Sequence, residues 1–183
     1  VQCPADMGIV ITASHNPPEY NGFKLKSGFG GPTLPADIAA VEALIPDQFE
    51  GPYPALSDLE ANGLVKWEDL EEMYFRHVDA HFDLQRIRHS GIRIAYDAMF
   101  GAGQRIVRRL LPDATLLHCD HNPGFHGCAP EPIHRNLGEL SSLLAKSGEY
   151  GAGLANDGDA DRIGMYDSKG RFVDSHHLLL LLL

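Results

Sequence analysis

Asp157, Asp159 and Asp161 occupy alternate positions of the run Asn156-Asp157-Gly158-Asp159-Ala160-Asp161-Arg162, spaced by Gly and Ala. Such small spacers allow three carboxylates to converge on one hard cation through oxygen ligands. Without a cation the three groups repel and raise one another's pKa, so a metal loop explains the crowding better than a solvated acidic turn. A calcium EF-hand loop also begins with alternating Asp. Counted from Asp157, however, Arg162 stands where that loop requires Gly and Ser168 where it requires Glu. The EF-hand reading fails, and Mg²⁺ is expected ahead of Ca²⁺ if a phosphate completes the shell.

A second loop with chemical potential is Thr12-Ala13-Ser14-His15-Asn16-Pro17-Pro18-Glu19-Tyr20-Asn21-Gly22-Phe23-Lys24. It follows a short apolar run, so the Ser14 hydroxyl would stand at a sheet edge, where nucleophiles and phosphate acceptors are presented. Taken alone, Ser before His-Asn-Pro is more often a turn or cap residue than a nucleophile. The stretch from His118 to Cys128 gathers His118, Cys119, His121, His126 and Cys128. His121 and His126 approach the spacing of zinc ligands, but no C-x-x-C supports them, and a polar loop with incidental His and Cys is the better reading. Gly101-Ala102-Gly103 lacks the third Gly and the acidic partner of a dinucleotide fingerprint.

These loops need elements to hold them. Gly8 to Thr12 reads as a parallel strand buried on both faces. Residues 13–35 read as a long loop, and Pro35-Ala36-Asp37 opens a helix with Ile38, Val41, Leu44 and Ile45 on one face. Residues 46–64 are punctuated by Pro and read as irregular. Trp67 to about Ile87 is expected as one charged helix connecting two units. From Ser90 onward, strands at 92–96, 115–118 and 151–155 alternate with helices ending at Leu111 and spanning 136–146. Gly148 is the expected helix stop. The β-α-β-α-β order predicts a parallel sheet flanked by helices, with ligand groups at the carboxyl ends of its strands.

The chain has 183 residues, 44% apolar and 22% charged, as in an ordinary globular protein. Its net charge of −10 argues against a nucleic-acid partner, which needs a basic surface. Cys3, Cys119 and Cys128 form no paired framework, which fits a reducing, cytoplasmic setting. No signal peptide is seen, and the closing run Leu178 to Leu183 is far shorter than the roughly 20 residues of a membrane span. That run reads as the first turns of a buried helix capped by Asp174 or Ser175. The absence of an initiator Met and the apolar close suggest an internal piece of a longer protein.

With both loops in view, the stretch from Gly8 to Lys24 and the run Asp157 to Arg162 resemble the α-D-phosphohexomutases, the phosphoglucomutase and phosphomannomutase superfamily. Tyr96-Asp97-Ala98-Met99-Phe100-Gly101-Ala102-Gly103 and Pro130-Glu131-Pro132 are similar to that family's second domain. The resemblance implies an α/β fold with mixed or mostly parallel sheets flanked by helices, two consecutive units of a four-domain mutase. Residues 1–89 would be part of domain I with its connecting helix, 90–169 domain II, and 170–183 the start of domain III. It implies that Ser14 carries a phosphoryl group and that Ser14, Asp157, Asp159 and Asp161 hold Mg²⁺. Arg162 would lie near the phosphoserine, Lys24 would act as general acid or base, and His15 would flank the serine.

The implied reaction is the interconversion of hexose 1-phosphate and hexose 6-phosphate through a hexose 1,6-bisphosphate, with no membrane partner. The family's sugar-specificity and phosphate-clamping loops belong to domains outside this chain, so the fragment alone is expected to be inactive. Two alternatives stand beside the mutase. One is a Mg²⁺-dependent serine phosphatase or phosphotransferase, and the other is a non-catalytic phosphosugar-binding relative.

Overall fold

The computed structural model describes residues 4–48 and 51–183, which leaves Cys3 outside the described residues. Its contacts divide the chain into two units: residues 1–10 with 23–73, and 11–22 with 74–183. In the first unit, β1 (Met7–Ile11) pairs with β2 (Phe23–Ser27) in a two-stranded sheet. A Cβ on Gly8 would meet Lys26, and one on Gly28 would meet Asp6, so the strands run antiparallel. This corrects the expectation of a parallel strand buried on both faces. With β2 as its one partner among the described residues, β1 leaves Met7, Ile9, Val10 and Ile11 exposed.

Helix α1 (Pro35–Glu42) begins at the expected Pro but buries no residue, and Leu44 and Ile45 lie beyond its end. A short helix α2 (Leu56–Ala61) forms within the stretch read as irregular. The connecting helix is also not one piece. It is α3 (Leu70–His81) followed by α4 (Leu84–Arg88), because the Asp83 carboxylate accepts from Arg86 N–H and starts a new helix.

The second unit carries the well-packed sheet, formed by β3 (Ile94–Asp97), β4 (Thr115–Leu117), β5 (Ala152–Asn156), β6 (Ile163–Asp167) and β7 (Phe172–Val173). Their order is β4-β3-β5-β6-β7. The first three strands are parallel, as the alternating β-α pattern predicts, with α5 (Gly103–Leu110) and α6 (Gly138–Ser147) as connections. The last two lie outside the β-α alternation, and their antiparallel pairing makes the sheet mixed, as the resemblance implies. Their direction follows from chain length: the loop 157–162 between β5 and β6 can turn a hairpin but cannot cross back for a parallel strand.

Helix α6 shows why its sequence folds as it does. Leu137, Leu140 and Leu144 recur at helical spacing and are fully buried against Ala95, Ala155 and Tyr166. Gly148 closes the helix at φ 65°, a left-handed conformation that Gly adopts without steric penalty. The leucine run forms α7 (Ser175–Leu182), with Asp174 accepting from His176 and His177 N–H as the expected N-cap. Leu178 is half-buried, but Leu179 to Leu182 are exposed rather than buried, since little of this chain packs over them. Among the described residues, no helix is long and apolar enough to cross a membrane.

Two predictions follow the packing. Leu140→Ala removes a side chain with no solvent exposure and should lower unfolding stability by about 2–5 kcal/mol, measured by denaturant titration. Val41→Ala on the open face of α1 should cost well under that. The second concerns alkaline pH. Burial pushes Tyr166 up to about 12, with Asp97 adding to the shift, and pushes Tyr96 higher still. The unfolded chain ionises both near 10, so the folded state holds more protons between those values and stability must fall as pH rises from about 10 to 12. Tyr166→Phe should flatten that alkaline limb.

Candidate metal and phosphoryl site

The serine loop as far as Gly22 and the whole Asp157–Arg162 loop belong to the second unit by their contacts. The Asp157–Arg162 loop leaves the carboxyl end of β5, next to the end of β3, the position where parallel sheets gather ligand groups. Asn156 braces its base, donating to the Arg162 carbonyl at 2.6 Å and accepting from the Tyr96 hydroxyl at 3.0 Å.

Asp157, Asp159 and Asp161 each present an oxygen within 4.8 Å of the others. Asp157 is fully buried, and its Oδ1 accepts from the N–H groups of Asp161 and Arg162, both at 3.0 Å. Its Oδ2 accepts from the Ser14 hydroxyl at 3.3 Å and lies 3.9 Å from Arg162 Nε. Burial raises the Asp157 pKa, and the charges of Asp159 and Asp161 raise it further, while the backbone N–H bonds oppose the shift. The carboxylates therefore carry an electrostatic penalty that a cation would relieve. A donor set of three carboxylates and a hydroxyl is all oxygen, the chemistry of a hard divalent ion, so the residues fit such an ion.

The serine loop is anchored from both sides. Thr12 donates its hydroxyl to Asp159 Oδ2 at 2.9 Å and accepts from Ser14 N–H at 2.8 Å. Thr12 N–H bonds the Gly22 carbonyl at 3.0 Å, closing the loop at its base. His15 Nδ1 lies 3.4 Å from the Ser14 hydroxyl. Ser14 itself sits at φ 56°, an uncommon conformation for a residue with a Cβ. Gly158 permits the approach of the two loops, since a Cβ there would meet the Ser14 carbonyl oxygen.

The structure thus gathers Ser14, His15, Asp157, Asp159, Asp161 and Arg162 in one unit. Lys24 lies on β2 of the other unit. Thr12 was not assigned a role from sequence, although its place two residues before Ser14 is the signal of a side-chain turn. Gly101, part of the stretch that resembles the family's second domain, packs its backbone against the carbonyls of Asp157 and Gly158. Among the described residues, the His118–Cys128 stretch brings no three metal-ligating side chains together.

Comparison with known proteins shows the family. The family model for phosphoglucomutase/phosphomannomutase, alpha/beta/alpha domain II, matches residues 72–170, and that for domain I of the same family matches residues 2–51. Phosphoglucomutase of Neisseria meningitidis is 36% identical over 95% of this chain and 36% of its own length. Phosphopentomutase of Thermococcus kodakarensis is 32% identical over 97% of this chain and 38% of its own length. A crystal structure from Thermus thermophilus, provisionally assigned as a phosphomannomutase, superposes with a TM-score of 0.80 at 34% identity, over 98% of this chain and 40% of that one. The chain therefore spans well under half the length of these relatives.

If the carboxylates hold a divalent ion, Mg²⁺ at 100 times its dissociation constant should stabilise the chain by about 2.7 kcal/mol, seen as a rise in Tm. Asp157→Asn should abolish that rise.

Proposed function

Starting from the chain's membership of the phosphoglucomutase/phosphomannomutase family, we propose that it supplies the phosphoserine and metal loops of a phosphohexomutase that interconverts hexose 1-phosphate and hexose 6-phosphate. The observation that carries this reading is the Ser14 hydroxyl, 3.3 Å from Asp157 Oδ2 at the edge of the three-carboxylate cluster. Residues 1–89, 90–169 and 170–183 would be parts of domains I, II and III of that enzyme.

Ser14 is the phosphoryl carrier, and Asp157, Asp159 and Asp161 would hold Mg²⁺ beside it. When bound, Mg²⁺ supplies Lewis-acid stabilisation of charge on phosphoryl oxygens. Phosphoryl transfer otherwise asks the protein for positioning and charge neutralisation. Thr12 holds the Ser14 backbone to the aspartate loop. Arg162 is within reach of the Asp157 carboxylate and supplies positive charge on the same loop.

In the forward half-reaction the phosphoserine O–P bond breaks as a sugar hydroxyl forms a new O–P bond, yielding a hexose 1,6-bisphosphate, and the departing Ser14 oxygen takes up a proton from solvent to become the free hydroxyl. The proton of the sugar hydroxyl passes to a general base, a role that falls to Lys24 on the strength of the resemblance. Return of the other phosphate to Ser14 restores the phosphoserine and reverses the proton's path. His15 Nδ1, close to the Ser14 hydroxyl, is placed to orient it between transfers. The relatives' names span glucose, glucosamine and pentose phosphates. The setting proposed for this chemistry is the cytoplasm, with phosphosugars rather than nucleic acid or membrane as partners.

Intact-mass spectrometry of the full-length protein after incubation with a hexose 1,6-bisphosphate provides the test. A stable adduct of one phosphoryl group, lost in Ser14→Ala, is expected. Its absence would sink the mutase reading, and adduct formation followed by hydrolysis without isomer exchange would favour the phosphatase alternative.

A further inference from the structure

Asp97 is 1% exposed, yet it lies outside the carboxylate cluster and has no part in the proposed reaction. It ends β3, the strand flanked by β4 and β5. Both of its oxygens lie 2.9 Å from Nδ1 of His118, and Oδ1 also accepts from Met99 N–H at 2.8 Å. His118 follows the end of β4 at φ 47°. Its Nε2 lies 3.4 Å from Glu139 Oε2 in the first turn of α6. Its carbonyl accepts from Phe100 N–H at 2.9 Å, and its ring packs on that of Phe100 at 4.8 Å between centroids. One histidine thus grips the segment 97–100 at three points.

That segment is strained. Met99 and Phe100 stand at φ 47° and 59°, a left-handed region that disfavours residues bearing a Cβ and persists only where the surroundings over-determine it. The segment then runs directly into the metal loop's support. Ala102 N–H donates to the Gly158 carbonyl at 2.9 Å. Gly101 lies so close that a Cβ would come within 2.8 Å of the carbonyl oxygens of both Asp157 and Gly158. Gly158 in turn packs against the Ser14 backbone. A continuous series of short contacts therefore connects His118 to the Asp157–Gly158 turn, while His118 makes no hydrogen bond or ion pair with the cluster itself.

We propose that His118, locked to the buried Asp97, is a positioning residue: it holds segment 98–102 in its left-handed course and so fixes where the Asp157–Gly158 turn presents its carboxylates to a divalent cation. The inference rests on the reading of Asp157, Asp159 and Asp161 as a cation site. Outer partners that orient metal ligands commonly alter affinity by 10–100-fold when removed.

Mn²⁺ is the probe, with its affinity for the chain measured by calorimetry and its coordination by electron paramagnetic resonance. Wild type should bind, Asp157→Asn should not, and His118→Leu should bind at least about tenfold more weakly with a changed spectrum. His118→Asn, whose amide can still donate to Asp97, should recover most of the affinity. If wild type binds no better than Asp157→Asn, the cation site itself fails and the proposal falls with it. If that site holds but His118→Leu matches wild type in affinity and spectrum, the positioning role alone is overturned. Should His118→Leu not fold, Asp97→Asn takes its place. It keeps an oxygen for Met99 N–H but offers His118 only one, and binding equal to wild type again refutes the role.

Discussion

Three carboxylates held within 4.8 Å of one another on a six-residue turn set the constraint that the second unit is built around. At that spacing like charges disfavour full ionisation, and the complete burial of Asp157 sharpens the effect. The fold holds this charge in place with the N–H groups of Asp161 and Arg162 on Asp157 and the Thr12 hydroxyl on Asp159, and sets the Arg162 guanidinium 3.9 Å from Asp157 Oδ2. Donors of this kind fix the geometry of a carboxylate while leaving its negative charge available to a cation.

The backbone around the site carries the corresponding strain. The non-glycine residues with positive φ among those described are Ser14, Met99, Phe100, His118, Phe125, His126 and Ala160. All lie in loops that follow the carboxyl ends of β1, β3, β4 or β5. Each such conformation costs of the order of 1–3 kcal/mol and survives only where neighbouring contacts leave no alternative. The packed core of Leu137, Leu140, Leu144 and Tyr166 supplies a rigid sheet beneath these loops. Regular structure is thus concentrated below the site, and conformational strain at its rim.

Much of this was legible in advance, for identifiable reasons. The aspartate triplet is a local pattern, visible in residue type and alternate spacing. Helix α6 declares itself through leucines at helical period and a terminal Gly, and α7 through the Asp174 cap. Where the expectations failed, the deciding factor was not local. The apolar run of β1 suits a buried strand, but the burial of a strand depends on how many neighbours pair and cover it. Periodicity across 67–87 missed the break at Asp83, where a single side-chain bond to Arg86 N–H outweighs the helical pattern. The direction of β6 depends on the length of the 157–162 loop and not on the chemistry of its side chains.

By itself, the sequence determined the kind of chemistry: oxygen donors for a hard cation, a hydroxyl at the end of a strand, and a family resemblance later matched by both domain models. Only the tertiary structure decided which groups meet. Ser14 and Asp157 are 143 positions apart, and their hydrogen bond depends on a close backbone approach that Gly158 leaves open. Thr12 acquired its role in the same way, as did the pairing of Asp97 with His118. Side-chain type and period report what a segment can do locally. Contacts between distant loops depend on sheet order, loop length and the few ångströms of clearance beside a glycine, none of which is written in any one stretch of the chain.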